Sequence, residues 1–156
     1  MKTILLVDDS DQFIMSFYEK YHFTYEITVA DSAAMMDEYL YDEPGALKYD
    51  HIILDLDLGL GDYTKAEWAT ICTEFHNSEL FLLDGYRALY GWDYYNKVIC
   101  TRPKTKSETR RFVLFSGHVD ALKRQAPPEQ IQNLGNRLVK KGSVMSEEDL
   151  MKIINS

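Results

Sequence analysis

Residues 51–62 read HIILDLDLGLGD, and the reading of this stretch decides the fold. A mostly apolar run, His51 to Leu54, delivers Asp55, and Asp57 follows two places later. Short apolar runs bounded by carboxylates suit strands buried on both faces of a parallel sheet. One carboxylate at the end of such a strand is an ordinary turn feature. Two at this spacing raise the question of a phosphate-handling aspartate.

Outward from this stretch the pattern alternates. ILLVDD (4–9), YEITVA (25–30), YDHIILDLD (49–57), RFVLFSG (111–117) and RLVK (137–140) read as five strands. Between the first two, Phe13, Ile14, Phe17 and Tyr21 fall at helical spacing; Asp31 or Ser32 then caps a helix carrying Met35, Met36, Tyr39 and Leu40. Ser146 and Asp149 resemble a capping box that opens a last helix. Alternating strands and helices imply a parallel sheet covered on both faces, with its working site beyond the carboxyl ends of the strands. Asp8 and Asp9, Asp55, Ser116 and Lys140 all stand at such ends.

The bulk numbers leave one compact domain over residues 1–156. A hydrophobic share of 46% and a charged share of 27% are those of a globular chain. Net charge of −8 disfavours direct binding to nucleic acid. Two cysteines, Cys72 and Cys100, cannot build a disulfide framework. No apolar run is long enough for a signal peptide or a membrane span. The expected compartment is therefore the cytoplasm.

Three carboxylates brought together repel one another unless a cation joins them. Mg²⁺, a hard ion with oxygen ligands, resolves the conflict and also binds phosphate. A carboxylate can act as nucleophile in phosphoryl transfer, with a lysine and a hydroxyl neutralising and hydrogen-bonding the phosphoryl oxygens.

The set LLVDDS, YDHIILDLDLG, FVLFSG and LVKK resembles the receiver domain of two-component response regulators across the chain. The resemblance implies a flavodoxin-like α/β sandwich, a five-stranded parallel sheet of order 2-1-3-4-5 with helices on both faces. It implies Asp55 as phosphoacceptor, with Mg²⁺ (or Mn²⁺) held by Asp8, Asp9, Asp55 and the backbone carbonyl of Asp57. It places Ser116 at the switch hydroxyl and Lys140 at the phosphoryl-contacting lysine. Partners implied are a histidine kinase or histidine phosphotransfer protein, and a downstream protein on the face from strand four to helix five; homodimerisation stays open. Such a chain is a phosphoacceptor with slow autodephosphorylation, not a turnover enzyme.

Departures from the family pattern are specific. Gly59 and Lys141 stand where prolines are usual, and Arg137 replaces the switch aromatic. His118 and Asp57 flank the site and are candidates for tuning dephosphorylation. Asp55 and Ser116 stand 61 positions apart, about twice the family's usual spacing, which places a helical insertion at about residues 60–83. Trp68, Ile71, Cys72 and Phe75 would share one face of it, and Asp84 with Gly85 would resume the family pattern. Cys72 and His76, one helical turn apart, read as a core cysteine and an exposed histidine rather than a metal pair. TRPKTKSETRR (101–111) reads as a solvated basic loop.

Two alternatives remain. One is a receiver-like interaction module that is not phosphorylated. The other is a haloacid dehalogenase-like phosphatase, with Asp55 as nucleophile, Asp57 as acid/base and Ser116 and Lys140 on phosphate. Chain order disfavours the second, because that family starts with its Asp-x-Asp strand.

Overall fold

Five parallel strands order the sheet, and the computed structural model describes residues 1–74, 79–142 and 144–156. In chain order they are β1 (Thr3–Val7), β2 (Glu26–Ala30), β3 (His51–Leu54), β6 (Phe112–Ser116) and β7 (Leu138–Lys140). Their spatial order is β2-β1-β3-β6-β7, which is the flavodoxin-like order expected from the alternation. Every adjacent pair is parallel.

Strand alternation divides the core in two. Leu5, Val7, Ile52, Leu54, Phe112, Leu114 and Leu138 face one helical layer. Ile4, Leu6, Ile53, Val113, Phe115 and Val139 face the other, where α1 (Asp11–Tyr21) and α7 (Val144–Asn155) pack. Ser10 caps α1 and Ser32 caps α2 (Ala33–Tyr39), each hydroxyl accepting from a backbone N–H three residues on. α7 begins at Val144, so Ser146 lies inside its first turn rather than at its cap.

The segment between β3 and β6 is more than one inserted helix. α3 (Lys65–Thr73) opens with a capping box: the Glu67 N–H donates to the Thr64 hydroxyl, and the Thr64 N–H donates to the Glu67 carboxylate. Trp68 and Cys72 are buried and Ile71 half-buried, as a packed face requires; Phe75 and His76 lie outside the described residues. An antiparallel hairpin follows, β4 (Leu82–Leu83) with β5 (Arg87–Ala88). Asp84 and Gly85 turn it with φ of 56° and 80°, a conformation that Asp tolerates and Gly favours. They make the hairpin turn, not the opening of the next helix.

That helix, α4 (Tyr90–Tyr94), widens into a π-helical stretch over Tyr95–Ile99. The aromatic run pins the insertion in place. Trp68 stacks on Tyr94 at 5.2 Å between centroids. The Tyr94 and Tyr63 hydroxyls both donate to the Asp37 carboxylate on α2, at 2.5 and 2.9 Å. α3 therefore thickens the layer that contains α2.

Asp93, in α4, is fully buried, and its Oδ1 accepts from the Phe81 N–H at 2.9 Å. Burial pushes its carboxyl up to about 7, against lowering by that N–H and by Lys97. The folded chain thus binds this proton more tightly than the unfolded chain, whose value is near 3.8. Stability from this group is greatest below about pH 4 and is lost as pH rises through about 7. At about 1.4 kcal/mol per unit, the span is at most ~4 kcal/mol. Asp93→Asn is expected to gain on wild type by about 1–3 kcal/mol at pH 8 relative to pH 5. Urea unfolding at the two pH values reads this, and a constant difference would contradict it.

In the basic stretch 101–111, Lys104, Lys106 and Arg110 are exposed, as a solvated loop requires, and several of its basic side chains are nonetheless tied down. Arg111 donates to the carbonyls of Leu47 and Tyr49, Lys104 to that of Pro44, and Arg110 pairs with Glu108. Its last six residues, Lys106–Arg111, form a 3₁₀ segment. Behind β6, α5 (Val119–Gln125) and α6 (Pro128–Leu134) are separated at Ala126 and Pro127. Among the described residues, no helix is long and apolar enough to cross a membrane.

Candidate functional site

Register places the acidic residues. Val7 pairs with Leu54, and the Asp55 N–H continues the ladder to the Val7 carbonyl at 2.9 Å. Asp8 and Asp55 therefore leave β1 and β3 side by side, both nearly buried. Oxygen atoms of Asp8, Asp9 and Asp55 lie within 4.8 Å of one another.

Backbone donors fix the cluster. The Ser10 N–H donates to Asp8 at 2.9 Å and the Asp57 N–H to Asp55 at 3.3 Å. Gly59 donates its N–H to Asp9 at 3.2 Å, a bond that proline at this position could not make. The loop continues across the start of α2, whose Ala33 and Ala34 N–H groups donate to the Gly59 and Leu60 carbonyls.

The cation at the cluster belongs to Lys141. Its ammonium pairs with Asp8 and, at 3.2 Å, with Asp55. It also lies over the Phe13 and Phe115 rings, 4.9 and 5.6 Å from their centroids. Lys140, assigned this place from the motif, instead pairs with Asp120 of α5 at 2.6 Å, with both side chains more than half exposed. That contact holds the Asp120 carboxyl below its usual range.

Alternation is the reason. Asp8, Asp55 and Lys141 share the parity of Leu6, Ile53 and Val139, whereas Lys140 has the parity of Leu138. A shift by one residue exchanges sheet faces. The Lys141 N–H donates to the Ser116 carbonyl at 2.9 Å, so the ladder itself seats the lysine.

Arg137 is also displaced from its expected role. Its guanidinium donates to the carbonyls of Thr109, Phe112 and Asn133, closing the amino end of β6. Phe112 and Ser116 are the two ends of that strand, separated by about 13 Å at ~3.3 Å per residue. Arg137 is a structural clamp at the far edge of the sheet.

Ser116 and His118 are at the expected edge. Ser116 is fully buried and its hydroxyl accepts from the His118 N–H at 3.2 Å, which leaves its own hydrogen to donate. The Nε2 of His118 lies 3.2 Å from Asp57 Oδ2, and the same oxygen accepts from Arg87 at 2.5 Å. Asp9, Asp55, Asp57, Arg87, His118 and Lys141 line a cleft of about 440 Å³.

Arg87 and Gly91 have no place in the sequence reading. Gly91 donates its N–H to the Leu56 carbonyl at 3.0 Å. A Cβ on it would sit 2.1 Å from the Asp55 carbonyl oxygen, so α4 lies directly on the backbone of the aspartate loop.

Burial raises the Asp55 carboxyl above its usual value; Lys141 pulls it back, and Asp8 raises it further. The donor set fits a hard divalent ion: three carboxylates at one edge, with a single ammonium partly neutralising two of them.

No protein-family model matches the chain, and no curated protein matches it by sequence. Among solved structures, it is similar to the non-phosphorylated HemR receiver domain from Leptospira biflexa. The identity is 16% and the TM-score 0.56, over 100% of this chain and 96% of that one. A yeast Spc42 trimeric coiled-coil segment, amino acids 181–211, fused to another structure, aligns at 19% identity over 99% of this chain and 76% of that one. Its TM-score of 0.49 is too low to bear on the fold. The HemR likeness, with the strand order, shows a receiver fold.

Proposed function

We propose that the chain is a phosphoacceptor of the response-regulator kind, taking a phosphoryl group on Asp55. The observation that carries this reading is the convergence of Asp8, Asp9, Asp55 and Lys141 at one sheet edge of a receiver fold.

Asp55 is the nucleophile. Its oxygen forms a bond to phosphorus as the P–N bond of a phosphohistidine or phosphoramidate donor breaks. The bonding pair leaves on nitrogen, which takes up a proton. Lys141 stands beside the attacking oxygen and follows charge onto the phosphoryl oxygens. Ser116 donates its free hydrogen to one of them. Asp8, Asp9, Asp55 and the Asp57 carbonyl would hold Mg²⁺ (or Mn²⁺), which when bound would supply further positive charge against those oxygens.

The aspartyl phosphate is an activated acyl phosphate open to water, so it decays slowly without a second enzyme. Asp57, the acid/base of the phosphatase alternative, has its Oδ2 held by both Arg87 and His118. Partners are a histidine kinase or phosphotransfer protein, with output through the face of β6, α5, β7 and α7, and the compartment is the cytoplasm.

A second reading, an interaction module that is never phosphorylated, is favoured by one observation. Lys141 already pairs with both Asp8 and Asp55, so the cluster has a cation of its own.

Incubation with Mg²⁺ and phosphoramidate, followed by intact mass, separates the readings. One phosphoryl adduct on wild type and none on Asp55→Asn supports the proposal. No adduct and no Mg²⁺ binding favours the module, and rapid turnover of phosphomonoesters favours the phosphatase. Ser116→Ala is expected to slow adduct formation by about tenfold, one lost hydrogen bond to charge; an unchanged rate would remove Ser116 from the site.

A further inference from the structure

The hairpin brings to the cleft a cation that the family pattern does not supply. Arg87 lies on β5, at the end of the inserted segment, and its guanidinium holds the Asp57 oxygen that also faces His118. We propose that Arg87 is a phosphoryl-binding residue: once Asp55 is phosphorylated, it exchanges Asp57 for the phosphoryl oxygens, and the hairpin carries that exchange to α5. The inference rests on the phosphoacceptor reading.

Charge drives the exchange. Phosphorylation turns the singly charged Asp55 carboxylate into an acyl phosphate carrying about −1.5 to −2 charges on three acceptor oxygens, two residues from Arg87's present partner. The guanidinium fork binds two oxygens of such an anion, whereas Asp57 now offers it one. Asp57 keeps His118 when Arg87 leaves. Arg87 is half exposed and lines the same cleft as Asp55 and Lys141, so the move needs no passage through the core.

Connection to α5 is direct. In the hairpin turn, the Asp84 N–H donates to Gln125 Oε1 and Gln125 Nε2 donates to Asp84, each at 2.6 Å. Gln125 is the last residue of α5, and His118 immediately precedes its first. One end of α5 therefore adjoins His118, which holds Asp57, and the other is tied to the turn of the hairpin that carries Arg87. This supplies a relay in a chain where Arg137 is committed to the opposite end of β6.

The test compares wild type, Arg87→Ala and Arg87→Lys in Mg²⁺. Adduct lifetime is followed by intact mass after phosphoramidate treatment. Hydrogen–deuterium exchange over 82–88 and 119–125 is read with and without beryllofluoride, a phosphoryl mimic. Arg87→Ala is expected to shorten the lifetime at least about fivefold, with Arg87→Lys between the two, since lysine keeps charge but not the fork. Beryllofluoride changes exchange in both segments of wild type and in neither segment of Arg87→Ala. Equal lifetimes, or exchange changes that persist in Arg87→Ala, overturn the inference while leaving the phosphoacceptor reading intact. No adduct and no beryllofluoride response in any of the three overturns that reading, and the inference with it.

Discussion

Lys141→Ala is expected to slow phosphoryl uptake by Asp55 by about 10²-fold or more, the usual cost of losing one preorganised charge at the transition state. Lys140→Ala is expected to change it by less than about twofold, because an exposed pair with Asp120 contributes little. The contrast is sharp because the two lysines are neighbours with the same chemistry. Only strand parity separates them.

Lys141 has a second measurable role. Removing it strands Asp8 and Asp55, both nearly buried, without their shared cation. Breaking such a pair costs about 3 kcal/mol or more. A divalent ion can take the ammonium's place between the carboxylates. Urea unfolding should therefore show Lys141→Ala destabilised without Mg²⁺ and largely recovered when Mg²⁺ is saturating. Destabilisation indifferent to Mg²⁺ would mean that these carboxylates do not hold a metal.

Gly91→Ala is expected to damage the site without touching any charged group. The new methyl would lie 2.1 Å from the Asp55 carbonyl oxygen and 3.1 Å from the Leu56 Cα, both backbone atoms that cannot rotate away. Either α4 retreats, breaking the Gly91 to Leu56 hydrogen bond, or the loop shifts by about 1 Å. Overpacking of this kind costs about 1–3 kcal/mol. A displacement near 1 Å of the nucleophile costs about 10² in rate. Uptake of the phosphoryl group falls much further than stability does. A variant that unfolds like wild type and is phosphorylated at the same rate would show that α4 does not set the loop.

The sheet was legible because each strand is short, apolar and closed by polar residues, a pattern with few other homes. So was the acidic cluster, since strand order alone puts Asp8 beside Asp55. The motif points to Lys140, whereas the structure puts Lys141 at the carboxylates, and the sequence holds the reason. Leu138 and Val139 fix the parity of β7, and that parity sends Lys141, not Lys140, to the face of Asp55. Counting from the motif ignored the alternation. Arg137 is a different case: its place in a motif says nothing about the carbonyls of Thr109 and Phe112 that it binds across the chain.

The insertion was half legible. The spacing of Trp68, Ile71 and Cys72 shows the helix α3, whereas Asp84 and Gly85, read as resuming the family pattern, form the hairpin turn instead. The helix is a local signal. Arg87 at the cleft was not local, because a two-residue strand carries too little pattern to show where its side chains go. Gly91 was hidden for a related reason. Its need for hydrogen in place of a side chain comes from a loop more than thirty positions earlier in the chain.

Phosphorylation of Asp55 leaves a chemical mark that can be read directly. After incubation with Mg²⁺ and phosphoramidate, borohydride reduces an aspartyl phosphate to homoserine, and peptide mass mapping locates the change. Homoserine at position 55, dependent on both Mg²⁺ and the phosphodonor, is the result expected. Intact aspartate at position 55, or homoserine formed instead at position 8, 9 or 57, would contradict it.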